Sequence, residues 1–404
     1  MEIAIIGAGA AGCFCAVELA RRHPHAVINV YERGSRPLAK VAITGGGRCN
    51  LTNTFQGVRS VEAVYPRGFR LMKRLLREFS HEDAFRWFEK AGVRLVVQDD
   101  QCVFPASQDA MEIVHTLLRL MRQHGVRVHT ASRITAVRHE PDAAYSLLFA
   151  DGSSVRADRV VVTTGGSPRP SGLELLRPLG LEMVSPAPSL FSLCLPEHPL
   201  RELSGTVVEA VVASIPGTKF KADGPLLLTH WGLSGPAILK LSSYAARYLQ
   251  EADYQSRLAL NWMGGRSEAE VLSVLQALAM QHPQKQLQSA YPPCFNGRLW
   301  RCLLEQYQLR PALRWSELSS KQLVRLSALL VHHVLPVAGK NRFKEEFVTC
   351  GGVALSCISP STLECRQHPG LYFAGEVLDV DAITGGFNLQ AAWTMAYVVA
   401  KSFS

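Results

Sequence analysis

The chain has 404 residues, 47% of them hydrophobic and 19% charged, which excludes a disordered or fibrous protein and exceeds what one hydrophobic core usually organises. Lys and Arg outnumber Asp and Glu by 43 to 34, and 32 of those 43 cations are arginine, whose planar fork suits phosphate. The balance fits a soluble basic protein or one with an anionic partner, and no run approaches the roughly 18 apolar residues of a membrane span.

Glu2 to Ile6 is a short apolar run that ends in Gly7, a helical pattern follows from Ala10 to Arg22, and Val27 to Tyr31 is a second apolar run. Strand, glycine turn, helix, strand is the opening of a right-handed βαβ unit with parallel strands. Helical periodicity then predicts Phe69–Phe79 and Asp83–Lys90, a strand at Val93–Val97, a helix over Asp109–His124 and a strand at Val126–His129. From Ile134 to Val155 the texture becomes short alternating segments with an Asp151-Gly152 turn, which reads as a β-meander. Val160–Thr164 is a fully apolar strand, and a proline-rich stretch after it suits a domain crossing.

Residues 191–265 read as a β-rich insertion with one helix, Pro236–Leu249. Residues 266–340 read as helical, including Glu268–Gln281 and Lys321–His333. Strands return from about 345, and Gly370–Ala374 with the helix Asn388–Lys401 closes the chain. The expected fold is α/β: a Rossmann-like domain, parallel sheet plus β-meander, formed by residues 1–190 and 341–404 around that insertion. Met1-Glu2 leads directly into the glycine turn without a signal-peptide pattern, so a cytoplasmic protein is expected.

Gly7-Ala8-Gly9-Ala10-Ala11-Gly12 fits G-x-G-x-x-G in the required context, after a strand and opening a helix. Gly7 permits the tight turn, Gly9 lets a pyrophosphate approach the backbone, and Gly12 lets helix and strand pack closely. The helix N-terminus offers unpaired N–H groups and a positive dipole end. Glu32 lies 20 residues beyond Gly12, where an acid accepts hydrogen bonds from ribose hydroxyls. Dinucleotide binding follows, without a choice between NAD and FAD. Thr44 through Asn50 places three successive glycines beside Arg48, a bare backbone against which a ring or phosphate can lie. Near the C-terminus, Gly375-Glu376 follows an apolar strand and Gly385-Gly386-Phe387-Asn388 opens the last helix. In an FAD protein such a second helix N-terminus aims at the flavin pyrimidine edge.

The segments Lys40 through Asn53, Val103-Phe104-Pro105, Thr164-Gly165-Gly166, Thr229 through Ala237 and Gly370 through Gln390 together resemble one family over nearly the whole chain. It is the bacterial FAD flavoprotein family of the aminoacetone-oxidase and BaiN type, which is also similar to a flavin-dependent ribosomal-RNA dihydrouridine synthase. The resemblance implies noncovalent FAD, with its pyrophosphate at Gly9, Ala10, Ala11 and Gly12 and its adenosine ribose at Glu32 and Arg33. It implies a ribityl and flavin side lined by Lys40, Gly46, Gly47, Arg48 and Asn50, and an adenine contact through the Ile134 backbone. Thr164, Gly165, Gly375 and Glu376 belong to the same implied set, and Asp379, Gly386, Phe387 and Asn388 would close on the flavin. This chain continues after Ser167 with Pro168-Arg169-Pro170-Ser171-Gly172, shorter than in many relatives, which weakens transfer of any one member's substrate.

No catalytic residue stands out. His230, at a strand-to-helix turn, is the candidate proton donor. Cys49 lies beside the implied flavin, but the ten cysteines are scattered with no C-x-x-C, so packing rather than redox chemistry is expected of it. His332-His333 read as core-edge residues of a helix, and no metal site is expected. Asp379 and Asp381 could form a carboxylate pair. Arg67, Arg70, Lys73, Arg74 and Arg77 recur at helical spacing, either as a solvated basic face or as a phosphate-binding face for structured RNA. Only one G-x-G-x-x-G is present, so NAD(P)H, if it reduces the flavin, docks transiently. The sequence reading is an FAD-dependent oxidoreductase that transfers hydride through flavin N5, its substrate, a small molecule or structured RNA, left unidentified. The alternatives are a reductase of a pyrimidine in RNA, a binding module that holds FAD without turnover, and an NAD-dependent dehydrogenase.

Overall fold

A computed structural model describes residues 1–167, 169–341 and 348–403. The chain forms two compact units, Met1–Ala187 with Val348–Ser404, and Pro188–Phe347. Among the described residues no helix is long and apolar enough to cross a membrane.

The first unit is built on β1 (Glu2–Ile6), α1 (Ala10–Arg22), β2 (Val27–Tyr31), α2 (Ala39–Gly47), α3 (Phe69–Leu75), α4 (Ala110–Gln123), β3 (Arg127–His129), β4 (Arg159–Val162), β5 (Leu371–Phe373) and α5 (Phe387–Ser402). The strands form one sheet in the order β5-β4-β1-β2-β3, and every pairing is parallel. Ile3 through Ile6 and Val160 through Val162 are buried, as expected of central strands covered on both faces. α1 packs along α5. Phe14 anchors that contact, with ring centroids 5.6 Å from Phe79 and 5.5 Å from Trp393. Truncating Phe14 to Ala would cost about 3–5 kcal/mol. The meander forms as Ile134–His139, Tyr145–Phe149 and Ser154–Ala157, all antiparallel. Its second turn is closed by Asp151, whose carboxylate accepts the Ser153 N–H at 2.9 Å.

The second unit holds a closed six-stranded barrel: Leu193–Cys194, Gly232–Ser234, Lys221–Thr229, Val207–Ser214, Gln255–Asn261 and His333–Lys340 in order around it. Leu193, Leu226, Leu228, Leu233, Leu258, Leu260 and Leu335 are part of its buried core. Two of its long helices begin with reciprocal capping boxes, Ser267 with Glu270 and Ser319 with Gln322. Buried Trp300 and Trp315 each donate an indole N–H to a backbone carbonyl, of Leu287 (2.8 Å) and Ala290 (3.0 Å).

Three elements differ from their periodicity. The helix expected over Phe69–Phe79 stops at Leu75, and Phe79 is reached by a turn in which its N–H bonds Leu75 O. The helix expected over Pro236–Leu249 breaks at Ala245 into Pro236–Tyr244 and Ala246–Glu251. The helix expected through His333 ends at Val331, and His333 opens the strand that closes the barrel, opposite Leu260. A barrel edge demanding a partner outweighs an apolar stretch that reads equally as helix or strand. Pro168 and residues 345–347, where the reading placed part of a proline segment and returning strands, lie outside the described residues.

Candidate dinucleotide site

The turn after β1 is held from both sides. The Gly7 N–H donates to Tyr31 O at 2.8 Å, and Gly7 has φ +104°, which favours glycine. The buried Thr163 hydroxyl, just past β4, lies 3.0 Å from Ile6 O and 2.8 Å from Gly7 O. A Cβ on Gly12 would fall 2.0 Å from Gly7 O, so helix and turn pack without room for a side chain. At Gly9 the opposite holds: a Cβ would meet nothing within 4 Å. Gly9 is the N-cap of α1, no side chain caps it, and the first turn carries no acid. Ala10, Ala11 and Gly12 therefore begin an uncapped helix N-terminus, an anion-binding arrangement. Beside it, Thr164 Oγ1 is buried with no hydrogen-bond partner, and Gly165 has a positive φ with open space above it.

Glu32 stands at the end of β2, where one carboxylate oxygen accepts the Ala8 N–H (2.9 Å) and the other the Gly34 N–H (2.7 Å). Two backbone donors fix the carboxylate and leave it further acceptor capacity. Arg33 is exposed. The Ser132 N–H bonds Glu32 O, which brings the start of the meander, buried Ile134, toward the same end of the sheet.

α2 breaks at its glycines: Gly45, Gly46 and Gly47 all have positive φ, and a Cβ on Gly46 or Gly47 would meet nothing within 4 Å. Arg48 lies over the Phe104 ring at 4.5 Å and donates to Gly45 O and Gln108 Oε1, so its guanidinium organises this loop. Cys49 is fully buried at φ +61°, and burial, only partly offset by Thr44, pushes its thiol pKa up to about 12. That suits packing. Lys40 is exposed, with Nζ 3.9 Å from Glu376 Oε2, and the other Glu376 oxygen accepts the Thr349 N–H at 2.6 Å.

The glycine loop runs on into a clamp on α5. With its amide oriented to satisfy both neighbours, Asn50 donates to Thr52 O (3.0 Å) and accepts the Gly386 N–H (3.2 Å). Asn53 donates to Gly385 O at 3.1 Å, and the Thr52 hydroxyl donates to Gln390 Oε1 at 2.6 Å. Gln390 in turn donates to Thr394, whose hydroxyl donates to Phe79 O, and all three side chains are buried. Gly386, the N-cap of α5, cannot carry a side chain, because a Cβ would sit 2.3 Å from Thr52 O. Phe387 is buried and its carbonyl accepts the Tyr65 hydroxyl at 2.9 Å. Gly375 packs on α1, where a Cβ would lie 3.2 Å from Ala11 Cβ, so the segments after β1 and β5 converge.

Several expected roles change here. Arg67 does not belong to a solvated basic face: it forms a two-point ion pair with the fully buried Asp381. A free acid–base pair of Asp379 and Asp381 is thereby excluded, and Asp379 itself accepts the Gly351 N–H at 2.9 Å. The Asn388 amide is engaged with both backbone groups of Ala382, each at 2.9 Å. His333 is not a helix-edge residue but a buried strand residue whose Nδ1 accepts the Trp262 N–H at 3.0 Å. His230 belongs to the second unit, exposed, with its carbonyl accepting from Arg201 and its ring 4.3 Å from that of Trp231. Thr163, Gln390 and Thr394 escape sequence reasoning, as does the pairing of Asp381 with Arg67: Thr52 and Gln390 lie 338 positions apart, and no local signal marks such a bond.

The model of the HI0933-like protein Rossmann domain matches residues 1–402. The chain belongs to that family. The 3-dehydro-bile acid delta(4,6)-reductase of Clostridium scindens is 28% identical over 409 residues, covering 99% of this chain and 98% of that one. The ribosomal RNA dihydrouridine synthase of Escherichia coli is 29% identical over 406 residues, covering 98% and 96%. Among solved structures, a variant of E. coli quinol fumarate reductase FrdA superposes with a TM-score of 0.50 at 15% identity, over 99% of this chain and 69% of that one, a likeness of fold. Family membership agrees with the motif resemblance and places the chain among flavoprotein oxidoreductases of the Rossmann type.

Proposed function

We propose that the protein is an FAD-dependent oxidoreductase that adds hydrogen to a carbon–carbon double bond of an unsaturated substrate. The observation that carries the reading is a pair of helix N-termini without side-chain caps, on α1 and α5, which pack side by side (ring centroids of Phe14 and Trp393 5.5 Å apart, of His23 and Phe403 6.2 Å apart), with open space at Gly9. The residues present fit an FAD: an open backbone at Gly9, a fixed carboxylate at Glu32 and an unpartnered buried hydroxyl at Thr164. Ala10, Ala11 and Gly12 would hold the pyrophosphate through backbone N–H groups, and Glu32 would accept from the adenosine ribose, with Arg33 at its rim. Ile134 would meet adenine through its backbone. Gly46, Gly47 and Arg48 would line the ribityl and flavin side, with Lys40, Glu376 and Asp379 near it. The N-terminus of α5, through the N–H groups from Phe387 and Asn388 onward, would offer its dipole to the flavin pyrimidine edge. When bound, the flavin supplies a two-electron hydride carrier, with NAD(P)H as the transient reductant.

The two relatives' names support a double bond as the target, since a delta(4,6)-reductase and a dihydrouridine synthase both saturate one. A pyrimidine in structured RNA is the second reading of the substrate. Arg70, Lys73 and Arg74 favour it, exposed at i, i+3 and i+4 of α3, with exposed Arg77 in the turn that follows. The test is anaerobic. Purified protein should release FAD on heating, and its flavin should bleach under argon with NADH or NADPH and recover with an enone or with RNA. Release of FMN or of NAD(H) without flavin would refute the cofactor, and a flavin that neither nicotinamide reduces would refute the reductant.

A further inference from the structure

The turn between β5 and α5 is gripped by a segment far away in sequence, residues 64–68. Four contacts set the backbone. Arg67 and Asp381 form an antiparallel bridge, the Ile383 N–H donates to Val64 O at 2.9 Å, and the Tyr65 hydroxyl donates to Phe387 O at 2.9 Å. Gly68, at φ +73°, packs so tightly on Val380 that a Cβ would lie 2.5 Å from its Cγ2. Over this backbone frame Arg67 Nε donates to Asp381 Oδ1 and Nη2 to Oδ2, a fork-to-carboxylate pair with the carboxylate wholly excluded from water. Burial opposes the guanidinium charge, and the Asp381 bonds outweigh it, holding the Arg67 pKa above its ordinary value.

Two apolar side chains could join these segments as firmly, since a buried ion pair rarely exceeds a well-packed apolar pair in stability. A two-point planar pair adds a fixed orientation. What it orients is the stretch from Asp381 to Gly386, which ends at the uncapped N-terminus of α5. We infer that Arg67 and Asp381 are positioning residues that aim the Gly385-Gly386 turn at the flavin. The inference rests on the FAD reading above, and wild-type protein that releases no FAD would defeat that reading before any variant is made.

The experiment compares Arg67→Lys, Asp381→Asn and the double variant Arg67→Met/Asp381→Leu. Melting temperature of the flavin-free protein, FAD dissociation constant, visible spectrum and flavin midpoint potential are measured for each. A merely structural pair requires FAD affinity to follow melting temperature across the series. A positioning pair separates them. The expected double variant melts close to wild type yet binds FAD at least about tenfold more weakly, with a shifted spectrum and potential. Arg67→Lys, which keeps charge and loses the fork, should show the same separation to a smaller degree and serves if the double variant does not fold. Wild-type affinity, spectrum and potential in either folded variant would overturn the assignment. So would full recovery of FAD binding in step with the recovered melting temperature.

Discussion

Gly9 and Gly12 lie three positions apart and should fail in opposite ways when substituted. At Gly9 the backbone is extended (φ −84°, ψ −166°) and a Cβ meets nothing within 4 Å, so Gly9→Val introduces no clash with protein atoms. Its cost to the flavin-free fold is the loss of a favoured N-cap residue, about 1 kcal/mol. The branched side chain would instead occupy the space over the first turn of α1, where the pyrophosphate is proposed to lie. Overpacking of that kind costs about 1–3 kcal/mol, which at about 1.4 kcal/mol per decade weakens FAD binding by roughly 5- to 150-fold. At Gly12 even Ala places its Cβ 2.0 Å from Gly7 O and 2.6 Å from Thr163 Oγ1, and the first of these is backbone that cannot swing aside. Gly12→Ala should therefore lower the stability of the flavin-free protein by several kcal/mol, at or above the upper end of that overpacking range. Thermal melts followed by far-UV circular dichroism on flavin-free protein, paired with FAD titration by fluorescence quenching, separate the two effects. Stoichiometric FAD with a wild-type spectrum in Gly9→Val would refute the placement of the pyrophosphate. A Gly12→Ala protein that melts with wild type would refute the packing argument.

Three further outcomes are expected. His333 is depressed to about 4 by burial, with a smaller contribution from His198, so between pH 6.5 and 4 the unfolded chain takes up a proton that the folded chain refuses. Stability should fall across that window by roughly 3 kcal/mol at most, and His333→Gln, which can still accept from Trp262, should flatten the slope in denaturant melts read by Trp fluorescence. Replacing Arg70, Lys73, Arg74 and Arg77 with Gln should leave flavin content unchanged. If RNA is the substrate, the same variant should reduce the salt slope of RNA binding by roughly 0.7–0.9 per lost contact; an unchanged slope in filter binding excludes this stripe. Cys49, with its thiol pushed up to about 12 by burial, should resist iodoacetamide at pH 8 in the native protein, as peptide mass mapping would record.

The sequence by itself determined what depends on neighbours along the chain. Gly7 through Gly12 between two apolar runs, followed by Glu32, dictates the βαβ opening, because turn, helix start and acid are all set by local geometry and short spacing. Asp151-Gly152 likewise announces its turn. Tertiary structure decided what requires distant partners. Residues 333–340 became a strand only because Gln255–Asn261 presented a barrel edge to be paired. Arg67 left the basic stripe because Asp381, 314 positions away, brought a buried carboxylate to it. The clamp from Asn50 through Asn53 onto α5 has the same origin: each polar side chain is ambiguous alone, and burial, which penalises an unmet hydrogen bond, selects its partner.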